Sequence, residues 1–186
     1  RLFRLPRDHA LVNRMGFNNN GVHALAEKIT RSFPKHQRSV PLGINLGKGK
    51  STPLEGALQD YCDAFDAVAK VADYITINVS SPNTPDLRRL QNHEFLEPRL
   101  AGINQHRVNW AKSVSANSPP CLLKISPDES FKNVEQIVEK ALEHKFDGII
   151  ACNTSIDSTC LKFSNPAPTG GISGMPLGEK SNEVIK

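Results

Sequence analysis

A chain of 186 residues with 38% hydrophobic and 23% charged residues has the composition of one globular domain and not of a disordered segment. Its net charge of +4 is dispersed, with no basic run longer than Arg88-Arg89 and no interleaved aromatics, which argues against a nucleic-acid surface. Cys62, Cys121, Cys152 and Cys160 form no C-x-x-C pair, the histidines do not cluster with them, and neither a signal peptide nor an apolar run of about 18 residues is present. A zinc site, a disulfide framework and a membrane span are therefore disfavoured, and a reducing compartment fits best.

The first helical pattern runs over 21–33, with Val22, Leu25, Ile29 and Phe33 near helical spacing and Pro34 as a stop. Residues 41–46 form a short apolar run of strand type. Residues 54–71 give the strongest helix, placing Leu54, Ala57, Leu58, Tyr61, Cys62, Phe65 and Val68 on one face. A β-rich run at 74–79 precedes a helix over 93–115, and 121–125 form another strand. Asp128 or Ser130 caps a helix that buries Phe131, Val134, Ile137, Val138, Ala141 and Leu142. A strand at 148–152 leads into a Gly/Pro/Ser-rich stretch from Asn153 to Gly178, and a last helix starts at Lys180.

Strands thus alternate with amphipathic helices, with 27 to 47 residues from one strand start to the next. That pattern predicts a parallel sheet with helical crossovers, as an open doubly wound sheet or a barrel. A complete β/α barrel needs about 250 residues, more than this chain has.

In either architecture functional groups gather at the carboxyl ends of the strands. Asn45, Asn78 and Asn153 stand at or near such ends, with Lys124 at a fourth. Amides donate and accept at once, which suits a planar heterocycle with alternating C=O and N–H edges. Capping of strand-to-helix turns is the plainer reading of each asparagine. Lys124 lies in an apolar strand, so it either pairs with a carboxylate or faces developing negative charge, such as that of a reduced flavin. The loop after Asn78 carries Ser80, Ser81, Asn83 and Thr84, stiffened by Pro82 and Pro85. Serine is a weak base and needs a relay, for which Thr84 is the nearest hydroxyl. An ordinary Ser/Pro/Asn turn is the alternative. The segment 43–52 imitates a phosphate-binding loop, but its glycine spacing fails, because position 44 is isoleucine. The sequons at Asn78 and Asn153 fall at expected buried strand ends and are discounted.

Six ordered motifs resemble those of the dihydroorotate dehydrogenase family: Asn13-Arg-Met-Gly-Phe17, Gly43-Ile-Asn-Leu-Gly-Lys48, Asn78-Val-Ser-Ser-Pro-Asn-Thr84 with Leu87-Arg88, Lys124-Ile-Ser-Pro-Asp128, Asn153-Thr154 and Thr169-Gly-Gly-Ile-Ser-Gly174. The resemblance spans 1–186. It implies the central part of a single FMN-binding catalytic domain, a partial TIM (β/α)8 barrel with about half the barrel present, whose remaining parts and membrane-binding element lie outside the chain. It implies oxidation of dihydroorotate to orotate in pyrimidine synthesis, with a quinone as final acceptor and peripheral membrane association of the complete protein. Serine at 81 matches the quinone-linked class, whereas the soluble class has cysteine there. Ser81 is then the base, with Thr84 in its relay. Asn13, Arg14, Met15, Gly16, Phe17, Asn78, Asn83, Asn153 and Thr154 would line the substrate; Asn45, Asn78, Lys124, Cys152, Ser173 and Gly174 would line FMN. Cys152 departs from the threonine common in the family. Half a barrel is expected to be inactive alone and to leave sheet edges open. A non-catalytic fragment, or a related flavin enzyme acting on a dihydropyrimidine or dihydrouridine, are the alternatives.

Overall fold

Four parallel strands in sequential order, β3 (Gly43–Gly47), β4 (Tyr74–Asn78), β5 (Cys121–Lys124) and β6 (Gly148–Ile150), form the main sheet of the computed structural model, which describes residues 1–16, 18–84, 87–164 and 166–186. Before them come β1 (Leu2–Leu5), β2 (Ala10–Asn13) and helix α1 (Val22–Ser32). Helices α2 (Ala57–Val68), α3 (His93–Val114) and α4 (Phe131–Glu143) make the crossovers. After β6 come β7 (Gly171–Gly174) and α5 (Gly178–Ile185). Each crossover helix returns the chain to the next parallel strand, the repeating unit of a β/α barrel. The chain is a partial α/β barrel.

The register separates two faces. Leu46, Ile77, Leu123 and Ile149 align on one row, and Ile44, Ile75 and Cys121 on another. These outer rows pack on Tyr61, Phe65 and Val68 of α2, Leu96, Leu100 and Ile103 of α3, and Val134, Ile137 and Ala141 of α4. On the other face Asn45, Thr76, Leu122 and Gly148 align, followed by Gly47, Asn78, Lys124 and Ile150. Because side chains alternate along a strand, the helix-facing rows are wholly apolar, while the amides and the lysine share the barrel interior with Leu122 and Ile150. The interior face stays shallow: Gly43 underlies the Tyr74 ring, whose carbons would lie 2.1 Å from an added Cβ.

A second sheet has the antiparallel order β1–β2–β7. Its hairpin was not expected from the sequence, and β7 lies inside the stretch read as irregular. Four-residue strands such as Leu2–Leu5 and Gly171–Gly174 carry too few alternations to stand out, and pairing with distant partners creates them: Asn13 pairs with Gly171, and Ala10 with Gly174. A small separate core of Leu5, Ala10, Val12, Leu161 and Ile172 holds this sheet. Two local expectations also shift. Asn45 lies mid-strand in β3, and Ser130, not Asp128, caps α4, its Oγ accepting from the Asn133 amide at 3.2 Å.

Leu123→Ala should lower the unfolding free energy by about 2–5 kcal/mol, as expected for a fully buried leucine on the helix-facing row. Urea unfolding of the complete protein checks this; a loss below about 1 kcal/mol would contradict the two-face assignment.

Candidate active site

At the carboxyl ends of the strands the interior row presents Asn78 beside Lys124 on adjacent parallel strands. No carboxylate reaches Lys124 among the described residues, and it makes no recorded hydrogen bond. Burial lowers its pKa, opposed only by the Cys152 thiol. That thiol is itself pushed up by burial and by Asp128, so Cys152 stands as a neutral neighbour of the cation. Among the described residues the salt bridge considered for Lys124 is not formed, and a half-buried ammonium faces the barrel interior.

The loop after β4 is braced from three sides. The Asn78 Oδ1 accepts from the Ser80 amide and the Ser80 Oγ, both at 3.0 Å. Asn153 Nδ2 donates to Ser80 Oγ at 2.9 Å and approaches Asn78 Oδ1 at 3.5 Å, while its Oδ1 accepts from the Thr154 amide. Tyr61, whose hydroxyl is kept protonated by burial, donates to the Asn78 carbonyl from the helix side at 2.9 Å. From above, Asn83 Nδ2 donates to Asn13 Oδ1 at 2.8 Å, and Asn13 Nδ2 donates to the Gly171 carbonyl at 3.3 Å. Gly171 passes so close to Thr154 that an added Cβ would lie 2.2 Å from its Oγ1 and 3.1 Å from Pro82 Cγ. The second sheet is therefore clamped across the ends of β4 and β6.

Inside this frame Ser81 is 7% exposed and Thr84 6%. Ser81 Oγ accepts a long bond from the Asn83 amide, 3.4 Å, and donates to no described group. Asn78 Nδ2 is likewise uncommitted among the described residues. The frame thus engages the amide oxygens of Asn13, Asn78 and Asn153 and leaves Asn78 Nδ2, the Ser81 hydroxyl as a donor and the Lys124 ammonium uncommitted among the described residues.

The remaining candidates are less tightly gathered. Asn45 and Thr84 line a cleft of about 320 Å³ with Gly16, Gly47 and Lys48. Gly16 lies under the Asn83 carbonyl, 2.8 Å from where a Cβ would be. Arg14 turns its guanidinium over the Phe3 ring and Met15 is exposed. Ser173 and Gly174 are held in β7, Ser173 Oγ at 3.5 Å from the Leu11 carbonyl, and neither bonds to the loop among the described residues. Phe17 and Pro85 lie outside the described residues.

Sequence reasoning gave no role to Arg88 and offered Asp128 only as a helix cap. Arg88 donates to the Ser80 carbonyl at 3.2 Å, the Thr154 carbonyl at 2.9 Å and Asp128 at 2.7 Å. Asp128 also accepts from Ser155 Oγ, the Ile156 amide and Lys180 of α5. Burial alone would raise the Asp128 carboxyl; the Ser155 hydroxyl, the Ile156 amide, Lys180 and Arg88 outweigh it and hold the group at about 2. Arg88 and Asp128 both fall in the recognised motifs, which was the available sign of them.

The family model described as dihydroorotate dehydrogenase matches residues 1–186. A curated protein of Synechococcus elongatus named dihydroorotate dehydrogenase (quinone) is 46% identical over all of this chain and 49% of its own length. One of Idiomarina loihiensis with the same name is 42% identical over all of this chain and 54% of its own. Two solved structures of Eimeria tenella DHODH, one in complex with ferulenol and one ligand-free, superpose with TM-scores of 0.86 and 0.85 at 33% and 34% identity. They cover all of this chain, which covers 54% and 55% of theirs. The chain belongs to the dihydroorotate dehydrogenase family. It spans about half the length of the curated relatives it matches.

Asp128→Asn should destabilise the complete protein by about 1–2 kcal/mol near neutral pH, allowing for partial solvent screening. The native carboxyl is depressed, so its contribution is present above the ordinary carboxylate value and is lost as pH falls toward about 2. Unfolding measured from pH 7 to pH 2 should show the gap between the two proteins closing in that acid range; a gap that persists at pH 2 would contradict the ionic role.

Proposed function

We propose that this chain is the central part of an FMN-dependent dihydroorotate dehydrogenase domain of the quinone-linked type, oxidising dihydroorotate to orotate in pyrimidine synthesis. The observation that carries this reading is the buried Ser81, set in an asparagine-braced loop beside the unpaired Lys124, in a chain matched end to end by relatives of that name. Its chemistry needs a proton acceptor and a hydride acceptor against one ring; Ser81 offers the first, and a flavin would be the second.

The donor set fits a flavin. Among the described residues neither Lys124 nor Asn78 Nδ2 has a partner, and Gly47 and Gly148 stand on the same interior rows. Asn45, Asn78, Lys124, Cys152, Ser173 and Gly174 would hold FMN, with Lys124 supplying positive charge where the ring becomes electron-rich. Held by these residues, FMN would supply the hydride acceptor for C6 of dihydroorotate and a route for the electrons to a quinone.

The protein supplies the other half of the reaction. Ser81 Oγ takes the C5 proton as the C5–H electrons form the C5=C6 bond. A neutral hydroxyl is a weak base, so its own proton must leave as the C5 proton arrives. Thr84 receives it and passes it toward the cleft that Thr84 lines with Asn45 and Lys48. Asn13, Asn78, Asn83, Asn153 and Thr154 orient the pyrimidine. Pre-set amides lower the cost of ordering that a flexible loop would meet on binding.

Among the described residues no helix is long and apolar enough to cross a membrane. Quinone access and peripheral membrane association would belong to other parts of the complete protein.

Ser81→Ala in the complete protein should slow flavin reduction by dihydroorotate by about 10²–10⁴-fold, with orotate binding changed only a few-fold. Anaerobic stopped-flow reduction measures this, and an undiminished rate would remove Ser81 from the base role. Lys124→Ala should either release the flavin or slow its reduction; normal flavin content together with normal reduction would assign this lysine a structural role instead.

A further inference from the structure

Arg88 uses all three faces of its guanidinium. Nε donates to the Ser80 carbonyl at 3.2 Å, Nη2 to the Thr154 carbonyl at 2.9 Å and Nη1 to Asp128 Oδ2 at 2.7 Å. The Ser80 carbonyl belongs to the planar peptide that joins Ser80 to Ser81, so fixing that oxygen fixes the plane from which Ser81 projects. The Thr154 carbonyl belongs to the loop that carries Asn153 and Thr154. One side chain thus ties the loop after β4 to the loop after β6.

Asp128 anchors that side chain from the loop after β5. It accepts from Ser155 Oγ, from the Ile156 amide at 2.9 Å and from Lys180 of α5 at 2.9 Å. The side chains of Arg88 and Asp128 are 19% and 15% exposed, so their attraction is only partly screened. The carboxyl stays ionised far below neutral pH.

We propose that Arg88 and Asp128 are positioning residues, which set the reach of Ser81 toward the ring by locking the Ser80–Ser81 peptide to the Thr154 loop. This rests on the reading of Ser81 as the base. A fork with three fixed acceptors cannot be replaced by a point charge, so lysine at 88 keeps the charge and loses the geometry. Misplacement of a reacting group by about 1 Å costs up to about 10²-fold in rate, whereas binding of the flat product ring tolerates it.

The experiment is a double-mutant cycle on anaerobic flavin reduction in the complete, FMN-loaded protein. Arg88→Lys should reduce flavin at least ten-fold more slowly, with orotate affinity within about three-fold and an unchanged flavin spectrum. In a Ser81→Ala background the same change should slow the residual reaction less than two-fold, because no base remains to be positioned. If Arg88→Lys does not retain flavin, Asp128→Asn is measured in the same cycle with the same expected coupling. Reduction at the unmodified rate, or an Arg88 effect that multiplies fully with Ser81→Ala, would overturn the positioning role alone. An unimpaired Ser81→Ala protein would overturn both the base and its brace. Flavin loss from both brace variants would also overturn it, since the cluster would then serve barrel integrity rather than Ser81.

Discussion

The fixed register of four parallel strands is the constraint on which everything else in the chain depends. With a side-chain period of two, one register assigns Leu46, Ile77, Leu123 and Ile149 to the helices and Gly47, Asn78, Lys124 and Ile150 to the interior. A slip of one residue in β5 would send Lys124 into the apolar layer against α3 and α4, and Leu123 into the barrel. The core therefore specifies the site: the hydrophobic effect that drives the outer rows together also aligns an amide and an ammonium on neighbouring strands.

What the core cannot do is hold the loops beyond the strand ends, and polar groups take over there. Asn78, Ser80 and Asn153 exchange hydrogen bonds within one cluster, and Asn13 with Asn83 repeats the device on the other side of the loop. Each buried amide is worth little net stability but is costly to leave unsatisfied, so the set of partners fixes one loop geometry. Lys124 differs: among the described residues this half-buried cation has no partner. Its desolvation is a cost in the folded chain that an anionic ligand would offset. Strain of this kind belongs at a binding site more readily than in a scaffold.

The four parallel strands and the crossover helices were legible from local signals, apolar or β-rich runs for the strands and helical spacing for α2 and α4. Leu54 to Val68 marks a helix face, and the runs at 74–79 and 121–125 mark strands, all on local spacing. The hairpin and β7 were not legible, because Asn13 finds Gly171 across 158 residues and neither segment carries a pattern of its own. The same distinction runs through the site. Ser81, Asn83 and Thr84 are close in sequence and could be grouped by eye. The asparagine pair 13 and 83 and the ion pair Arg88–Asp128 join residues 70 and 40 apart. Their residue types permit such contacts, but only the fold selects them from many alternatives. The motif resemblance pointed to most of these positions, yet it gave no physical role to Ser80, Arg88 or Asp128, which act on the loop rather than on a ligand.

The central claim is that the frame around the 78–84 loop presents Ser81 to a pyrimidine carbon. The most direct measurement is the structure of the complete protein with FMN and orotate bound. The ring should lie against Asn78 and Asn83 with its C5 within about 3–3.5 Å of Ser81 Oγ, the range of a reactive approach. A ring bound with C5 beyond hydrogen-bonding reach of Ser81, or on the opposite side of the loop from Lys124, would contradict the account.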